Sequence, residues 1–288
     1  MKKIKKIIFI LIITLILSGC TLFKRDNMEN INIITTIYPI EYITNYIYGD
    51  NSNVTSIYPD DTDISSYNLT DKQLSDGSEK DLFIYMGKTD SNIAVELINR
   101  NKKLKLIDAT YGMEYKKDIT ELFLNPANLL MIAQNIKNGL NEYIDNSFLK
   151  QEINDKFDEL KLIISEVDAN YKTTVENANK KTIYTNSNAF LFLEKYNLNV
   201  IVVNKTHELF EKNLALLNND IENNNVKYFF YLEDTEIDQE IKKHVDDKKL
   251  TALEFRNLKN ITDSERNTKI TYEDLMKENL ETIKKEIY

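Results

Sequence analysis

The chain has 288 residues, with 37 Lys and Arg against 46 Asp and Glu, a formal charge of -9 and a single cysteine. Such an acidic balance argues against nucleic acid as a partner, because neutralising phosphates takes clustered Lys and Arg, and one cysteine excludes an intramolecular disulfide. With 42% hydrophobic and 10% aromatic residues, there is material for a real core in one large domain or two lobes.

The N-terminus reads as an export signal. Lys2, Lys3, Lys5 and Lys6 precede an apolar run of 11 residues, Ile7 to Leu17, broken only by Thr14. That run is shorter than the ~20 residues of a spanning helix and has the layout of a secretion signal. Leu17-Ser-Gly-Cys20 resembles the bacterial lipobox, which implies cleavage before Cys20 and a diacylglycerol on its sulfur. Two acyl chains meet the requirement of stable anchoring for two hydrophobic signals. The expectation is a lipid-anchored protein on the extracytoplasmic face of the cell membrane. Cleavage leaves 33 basic residues against the 46 acidic ones.

Residues 20–30 are polar and aperiodic, a short tether. Beyond them short β-rich runs alternate with longer amphipathic stretches. Strands are expected at 33–37, 54–58, 82–86 and 104–108, with helices near 40–48, 71–79 and 91–101. Thr70-Asp-Lys-Gln73 carries a capping-box pattern at one helix start. Residues 126–143 are helical, with Leu129, Ile132, Ala133, Ile136 and Leu140 on one face. Residues 148–178 contain no Pro or Gly, and Ile153, Phe157, Leu160, Ile164, Val167 and Tyr171 recur at helical spacing. This is one helix of about 45 Å at 1.5 Å per residue. Strands then resume near 182–185, 200–203, 226–231 and 250–254, with a closing helix from Thr271. The five Asn within 218–225 read as a loop at a helix end.

Strand–helix alternation at this spacing predicts an α/β fold built of βαβ units. Two Rossmann-like lobes are expected, each with a mainly parallel four-stranded sheet, joined by one long helix. The expected division is a signal peptide at 1–19, a tether at 20–30, an N-terminal lobe at 31–147, a linking helix at 148–178 and a C-terminal lobe at 179–288.

Familiar catalytic patterns are missing: no G-x-x-x-x-G-K-[ST], G-x-G-x-x-G after a strand, G-x-S-x-G or H-E-x-x-H occurs. The cysteine is committed to lipid. His207 and His244 are 37 residues apart and read as surface residues of separate helices. The chain is therefore not expected to be an enzyme.

Several segments, in order, resemble the zinc/manganese-type (ZnuA-like) solute-binding proteins of ABC importers. They include Ile34-Thr-Thr-Ile-Tyr-Pro-Ile40, Val54-Thr-Ser-Ile-Tyr-Pro59, Asp81-Leu-Phe-Ile-Tyr-Met-Gly87, Leu124-Asn-Pro-Ala-Asn128, Asn188-Ala-Phe190 and the final stretch from Tyr272 to Lys285. The resemblance implies a monomeric protein that captures a divalent metal ion of the Zn or Mn class between two lobes. It would deliver that ion to an ABC permease in the membrane to which acylated Cys20 anchors it.

Carried over by motif, the family's four metal-ligand positions fall on Ser65, Glu121, Ser187 and either Glu254 or Asn257. No family histidine remains. Glu121 and Glu254 are the carboxylate candidates for metal ligation, with Asp63 and Glu233, and also Asp61, as supporting acids. Tyr67 and Tyr184 are expected to line the same cleft. Zinc sites are built from thiolate, imidazole and some carboxylate, so an oxygen-only set favours harder ions. An alternative stays open: a degenerate family member that binds a non-metal small ligand or serves as a surface interaction or adhesion lipoprotein.

Overall fold

The computed structural model describes residues 28–114 and 119–288. The signal segment, Cys20 and most of the tether lie outside the described residues.

Both lobes carry an all-parallel four-stranded sheet. In the first, β1 (Ile31–Thr35), β2 (Ser52–Ser56), β3 (Leu82–Tyr85) and β4 (Lys105–Asp108) take the order β2-β1-β3-β4. In the second, β5 (Thr182–Thr185), β6 (Asn199–Val202), β7 (Tyr228–Leu232) and β8 (Thr251–Phe255) take the order β6-β5-β7-β8. The two orders are the same arrangement repeated. Parallel strands need crossovers, and helices supply most of them.

In the first lobe the crossovers are α1 (Tyr38–Tyr48), α2 (Asp71–Ser78) and α3 (Ser91–Arg100). The start of α1 has Pro39 in its first turn, where a missing N–H costs nothing. The α2 start is a complete capping box: the Thr70 hydroxyl accepts from Gln73 N, and the Gln73 side chain bonds back to Thr70 N. A short helix α4 (Glu121–Leu124) leads into α5 (Pro126–Tyr143), whose start Asn125 caps by accepting from Ala127 N at 3.1 Å. The linking helix α6 runs Ser147–Glu176, with Asn146 as its cap.

The second lobe begins with β5 and a 3-10 segment, Asn188–Tyr196, in place of a regular crossover helix. It continues with α7 (Phe210–Glu222), α8 (Gln239–Asp246), α9 (Asp263–Thr268) and α10 (Tyr272–Ile287). Two further capping boxes, Thr262 with Glu265 and Thr271 with Asp274, start α9 and α10.

Two expectations are corrected here. Asn218 and Asn219 belong to α7, which ends only at Glu222, because Leu214, Leu217 and Ile221 keep one face buried and carry the helix through the polar run. His207 sits in the turn before α7, not on a helix. Its Nδ1 accepts from Leu209 N at 3.2 Å and so helps shape that turn. His244 is on α8 as expected and bonds to Asn218 Oδ1 at 2.7 Å.

What unites the lobes is the core. The buried stripe of α6, from Leu149 through Ile153, Phe157, Leu160, Ile164, Val167 and Tyr171 to Val175, belongs to one hydrophobic cluster that includes residues of both sheets. α6 touches α1 and α5 of the first lobe and α10 of the second. Tyr171 Oη donates to Met276 O at 2.8 Å, and Tyr272 Oη to Phe123 O at 3.0 Å, so both buried phenols are satisfied across this junction. Separate clusters cover the outer faces of the two sheets.

Candidate ligand cleft between the lobes

In open parallel α/β sheets, ligands bind beyond the carboxyl ends of the strands. Here the segments that follow β2 and β8 meet directly. Asp61 N donates to Ile261 O at 3.0 Å, and Asn260 Nδ2 donates to Pro59 O and Thr62 O at 2.8 and 3.0 Å. Between them lies a cleft of about 180 Å³ lined by Asp61, Thr62 and Asp63 from the first lobe and by Glu233, Asp234, Arg256 and Asn257 from the second.

Each acid of this cleft already has partners. Asp63 accepts from Ser65 N at 2.8 Å and from Ser66 Oγ at 2.7 Å. Burial would raise its carboxyl, but those hydrogen bonds and the Lys259 charge outweigh it and hold the group below the usual carboxylate range. Asp61 Oδ2 accepts from Asp263 N at 3.0 Å. Glu233 Oε2 accepts from Asn257 N at 3.0 Å, while its Oε1 lies 2.9 Å from Arg256 Nε without the alignment of a hydrogen bond. Burial pushes the Glu233 carboxyl up against the opposing pull of Arg256. Arg256 is shared with Glu265, at 2.5 Å.

Asn257 is the buried hub of the cleft. Its amide nitrogen donates to Glu233 O and Asp234 Oδ2 at 3.2 and 2.8 Å, and its oxygen accepts from Lys259 N at 2.8 Å. Both amide hydrogens are thereby spent on tying the loop after β7 to the loop after β8. Asp234 and Leu258 have positive φ on either side of this tie. The hub shapes the cleft wall, and it has no donor left for a ligand.

Of the residues singled out in the sequence, Asp61, Asp63, Glu233 and Asn257 line the cleft, and Ser65 stands at its edge. Ser65 Oγ accepts from Lys259 Nζ at 3.0 Å, a contact from one lobe to the other. Ser187 is buried at the start of the 3-10 segment, where its hydroxyl accepts from Ala189 N at 3.1 Å. Glu121 opens α4 and lines a separate groove of about 390 Å³ with Asn125, Asn128, Glu194 and Lys195. Glu254 sits on β8 with an exposed side chain, opposite Tyr231 in the register. Glu121 and Glu254 are thus not brought to the cleft wall that holds Asn257.

Tyr67 packs edge-on against Tyr58, and its hydroxyl donates to Gln73 at 3.2 Å. Tyr184 does not line the cleft: it is buried in the second lobe with its hydroxyl on Asp220 at 2.6 Å, because β5 directs it into the outer core cluster. Among the described residues no group of three or more His, Cys, Asp or Glu side chains is arranged to hold a metal ion. The cleft is thus oxygen-lined, acidic and internally hydrogen-bonded, with Arg256 in its wall and Lys259 at its edge on Ser65.

Sequence reasoning missed Lys259, Asn260 and Arg266. No motif or spacing marks them. Arg266 on α9 clamps Glu41 of α1 through two nitrogens at 2.7 and 3.1 Å and also holds Asp60.

The fold is shared with several solved structures. It superposes on the metal-dependent lipoprotein YcdH from Bacillus subtilis with a TM-score of 0.73 at 19% identity, over 90% of this chain and 99% of that one. It matches the Zn(II)-bound ZnuA-like domain of Streptococcus pneumoniae AdcA at 0.72 and 20% identity, over 90% and 99% of the two chains. The laminin-binding protein Lbp of Streptococcus pyogenes aligns at 0.70 and 18% identity, over 90% and 100%. In sequence the chain is 22% identical over 293 residues to the zinc-binding protein AdcA of Streptococcus pyogenes, covering 88% of this chain and 55% of that protein. The chain therefore spans about half the length of the AdcA proteins it matches in sequence. A family model matches residues 33–286, both lobes and the helix between them, and on that match the chain belongs to the family of the zinc-uptake complex component A, periplasmic.

Proposed function

We propose that this protein is an extracytoplasmic solute-binding lipoprotein of a metal-type ABC importer. It takes its cargo in the cleft between the two lobes and hands it to a membrane permease. The observation that carries this reading is the family match across residues 33–286, together with a polar cleft at the carboxyl ends of two facing parallel sheets. Cys20 supplies the anchor, and the residues up to about 30 hold the body near the membrane. A non-enzymatic role agrees with the family and with the absence of catalytic patterns in the sequence.

The cargo on this reading is a divalent metal ion. Relatives with this fold are described as zinc-binding, and the cleft acids Asp61, Asp63, Glu233 and Asp234 give it a cation-attracting field. Carboxylate and carbonyl oxygens suit harder ions such as Mn(II), whereas Zn(II) sites draw on thiolate and imidazole. A second reading, a non-metal polar ligand or a surface interaction role, is favoured by one observation: no cluster of metal donors converges among the described residues.

Thermal melting with Zn, Mn, Fe, Co, Ni, Ca and Mg, one ion at a time, decides between them. A ligand that binds only the folded state stabilises it by about 2.7 kcal/mol at one hundred times its Kd. A melting temperature raised by one of these ions supports the metal reading. Unchanged curves with all seven remove it, and a screen of amino acids, sugars and peptides then tests the second. For the anchor, radiolabelled palmitate should mark the wild type and not Cys20→Ala; equal labelling would refute lipidation at that residue.

A further inference from the structure

We infer that Lys259 is a resident cation at the edge of the inter-lobe cleft and the residue that sets its affinity for divalent ions, an inference that rests on the metal cargo proposed above. Three observations carry it. First, Lys259 reaches across the seam: its backbone belongs to the loop after β8, yet Nζ donates to Ser65 Oγ of the first lobe at 3.0 Å.

Second, its backbone is pinned on both sides. Lys259 N donates to Asn257 Oδ1 at 2.8 Å, and Lys259 O accepts from Tyr38 N at 2.9 Å. The side chain therefore leaves a fixed point and ends at a fixed point. The residue is half-buried overall, and its contact with Ser65 lies at the exposed rim of the seam.

Third, its charge has no private partner. Arg256, the other cation of the cleft, is spent on Glu233 and Glu265. Lys259 makes no ion pair among the described residues, and its one side-chain bond is to a neutral hydroxyl. Its charge is instead felt by the cleft as a whole, and at Asp63 it adds to the hydrogen bonds that keep that carboxylate ionised. The cleft acids thus have a monovalent cation built into the chain.

Ser65 touches both Asp63, through its N–H, and the Lys259 ammonium, through its hydroxyl, so a divalent ion entering beside Asp63 would meet the repulsion of that ammonium. Binding then requires the ammonium to swing out and give up Ser65. That cost weakens the site for every cation without removing a single acidic donor. An anionic ligand is not the alternative occupant, since Asp61, Asp63, Glu233 and Asp234 line the same wall.

The test is a calorimetric titration of the full-length protein, Lys259→Gln and Lys259→Glu with Mn(II), Zn(II) and Ca(II) separately. Thermal melts of each protein check that it is folded. Gln can keep a donor near Ser65 while removing the charge; Glu replaces the charge by an oxygen donor. The expected result is that one ion binds Lys259→Glu at least about ten-fold more tightly than wild type, with Lys259→Gln between them. If Lys259→Glu does not fold, a tighter Lys259→Gln carries the same conclusion. Affinities equal within about two-fold, or tighter in the wild type, overturn the role of Lys259 and leave the metal cargo standing. No binding by any of the folded proteins overturns both.

Discussion

Arg266 and Glu41 join the two lobes through a forked ion pair. Two guanidinium nitrogens lie 2.7 and 3.1 Å from the two oxygens of a carboxylate that is nearly fully buried on α1. The same guanidinium also takes Asp60, at 2.8 Å from its Oδ1. Removing one partner of such a pair leaves the other buried and unpaired, which costs more than the pair contributes. Because Arg266 is 41% exposed, solvent screens part of the effect.

Arg266→Met should therefore destabilise the fold by about 2–3 kcal/mol. Chemical denaturation of wild type, Arg266→Met, Glu41→Gln and the double variant measures it. The double variant should lose less than the sum of the two singles. Strict additivity would mean that the contact carries no coupling.

Glu286 near the end of α10 is a second buried carboxylate with a complete set of partners. Its Oε2 accepts from Lys227 N and Tyr228 N at 2.9 and 2.8 Å, and its Oε1 meets Lys180 Nζ at 2.7 Å. It ties the last helix to the start of β7. Glu286→Gln keeps the shape but offers one acceptor oxygen where two are used. A loss of about 1–3 kcal/mol is expected, read as a lower denaturation midpoint with unchanged slope. A midpoint that does not move would show that the amide rearranges at no cost.

Gly139 lets α5 lie close against β4. A Cβ there would fall 2.8 Å from both Cγ1 and Cγ2 of Ile107 and 2.9 Å from its Cδ1, so nearly the whole buried side chain would have to move. Gly139→Ala should cost about 1–3 kcal/mol despite the better helix propensity of alanine. The companion variant Gly139→Ala/Ile107→Val should recover part of that loss in a thermal melt. If Gly139→Ala is as stable as wild type, the approach of helix to strand is looser than described.

Asp90 is buried before α3, with Oδ2 accepting from Met86 N at 3.0 Å, and burial raises its carboxyl above the ordinary range. The folded protein therefore holds this proton more tightly than the unfolded chain does. Stability is lost as pH rises from the ordinary carboxylate range through the raised folded value, and the penalty is complete above it. Asn keeps an oxygen for Met86 N without the charge. Asp90→Asn should thus be more stable than wild type at neutral pH, with the gain shrinking as pH falls through the raised folded value toward the ordinary carboxylate range and gone below that range. Melting curves across that range check the sign, and a gain that grew on acidification would contradict it.

Much of the architecture was legible in the chain. The apolar positions of residues 147–176 repeat at helical spacing, and the helix appears within two residues of the expected bounds. Thr70 and Thr271 cap where polar side chains precede amphipathic stretches. These are local effects, written in neighbouring residues. The strand edges shifted by one or two residues, since pairing rather than composition ends a strand. The local polarity of Asn218 and Asn219 points to a loop, and only the buried face of the helix they belong to makes them helical.

The cleft was legible only in part. By itself the sequence determined two α/β halves, the long helix between them and the kind of residue near each ligand position, because periodicity and capping act over a few residues. It left the fourth position open between Glu254 and Asn257. Only the tertiary structure decided that Asn257 lines the cleft while Glu254 stays on the exposed face of β8, for a strand alternates its side chains and the turn beyond it redirects them. It also decided that Ser65 would meet an ammonium. Lys259 lies 194 residues away, and no local pattern encodes a contact that exists only because two lobes, folded on one shared core, bring their strand ends face to face.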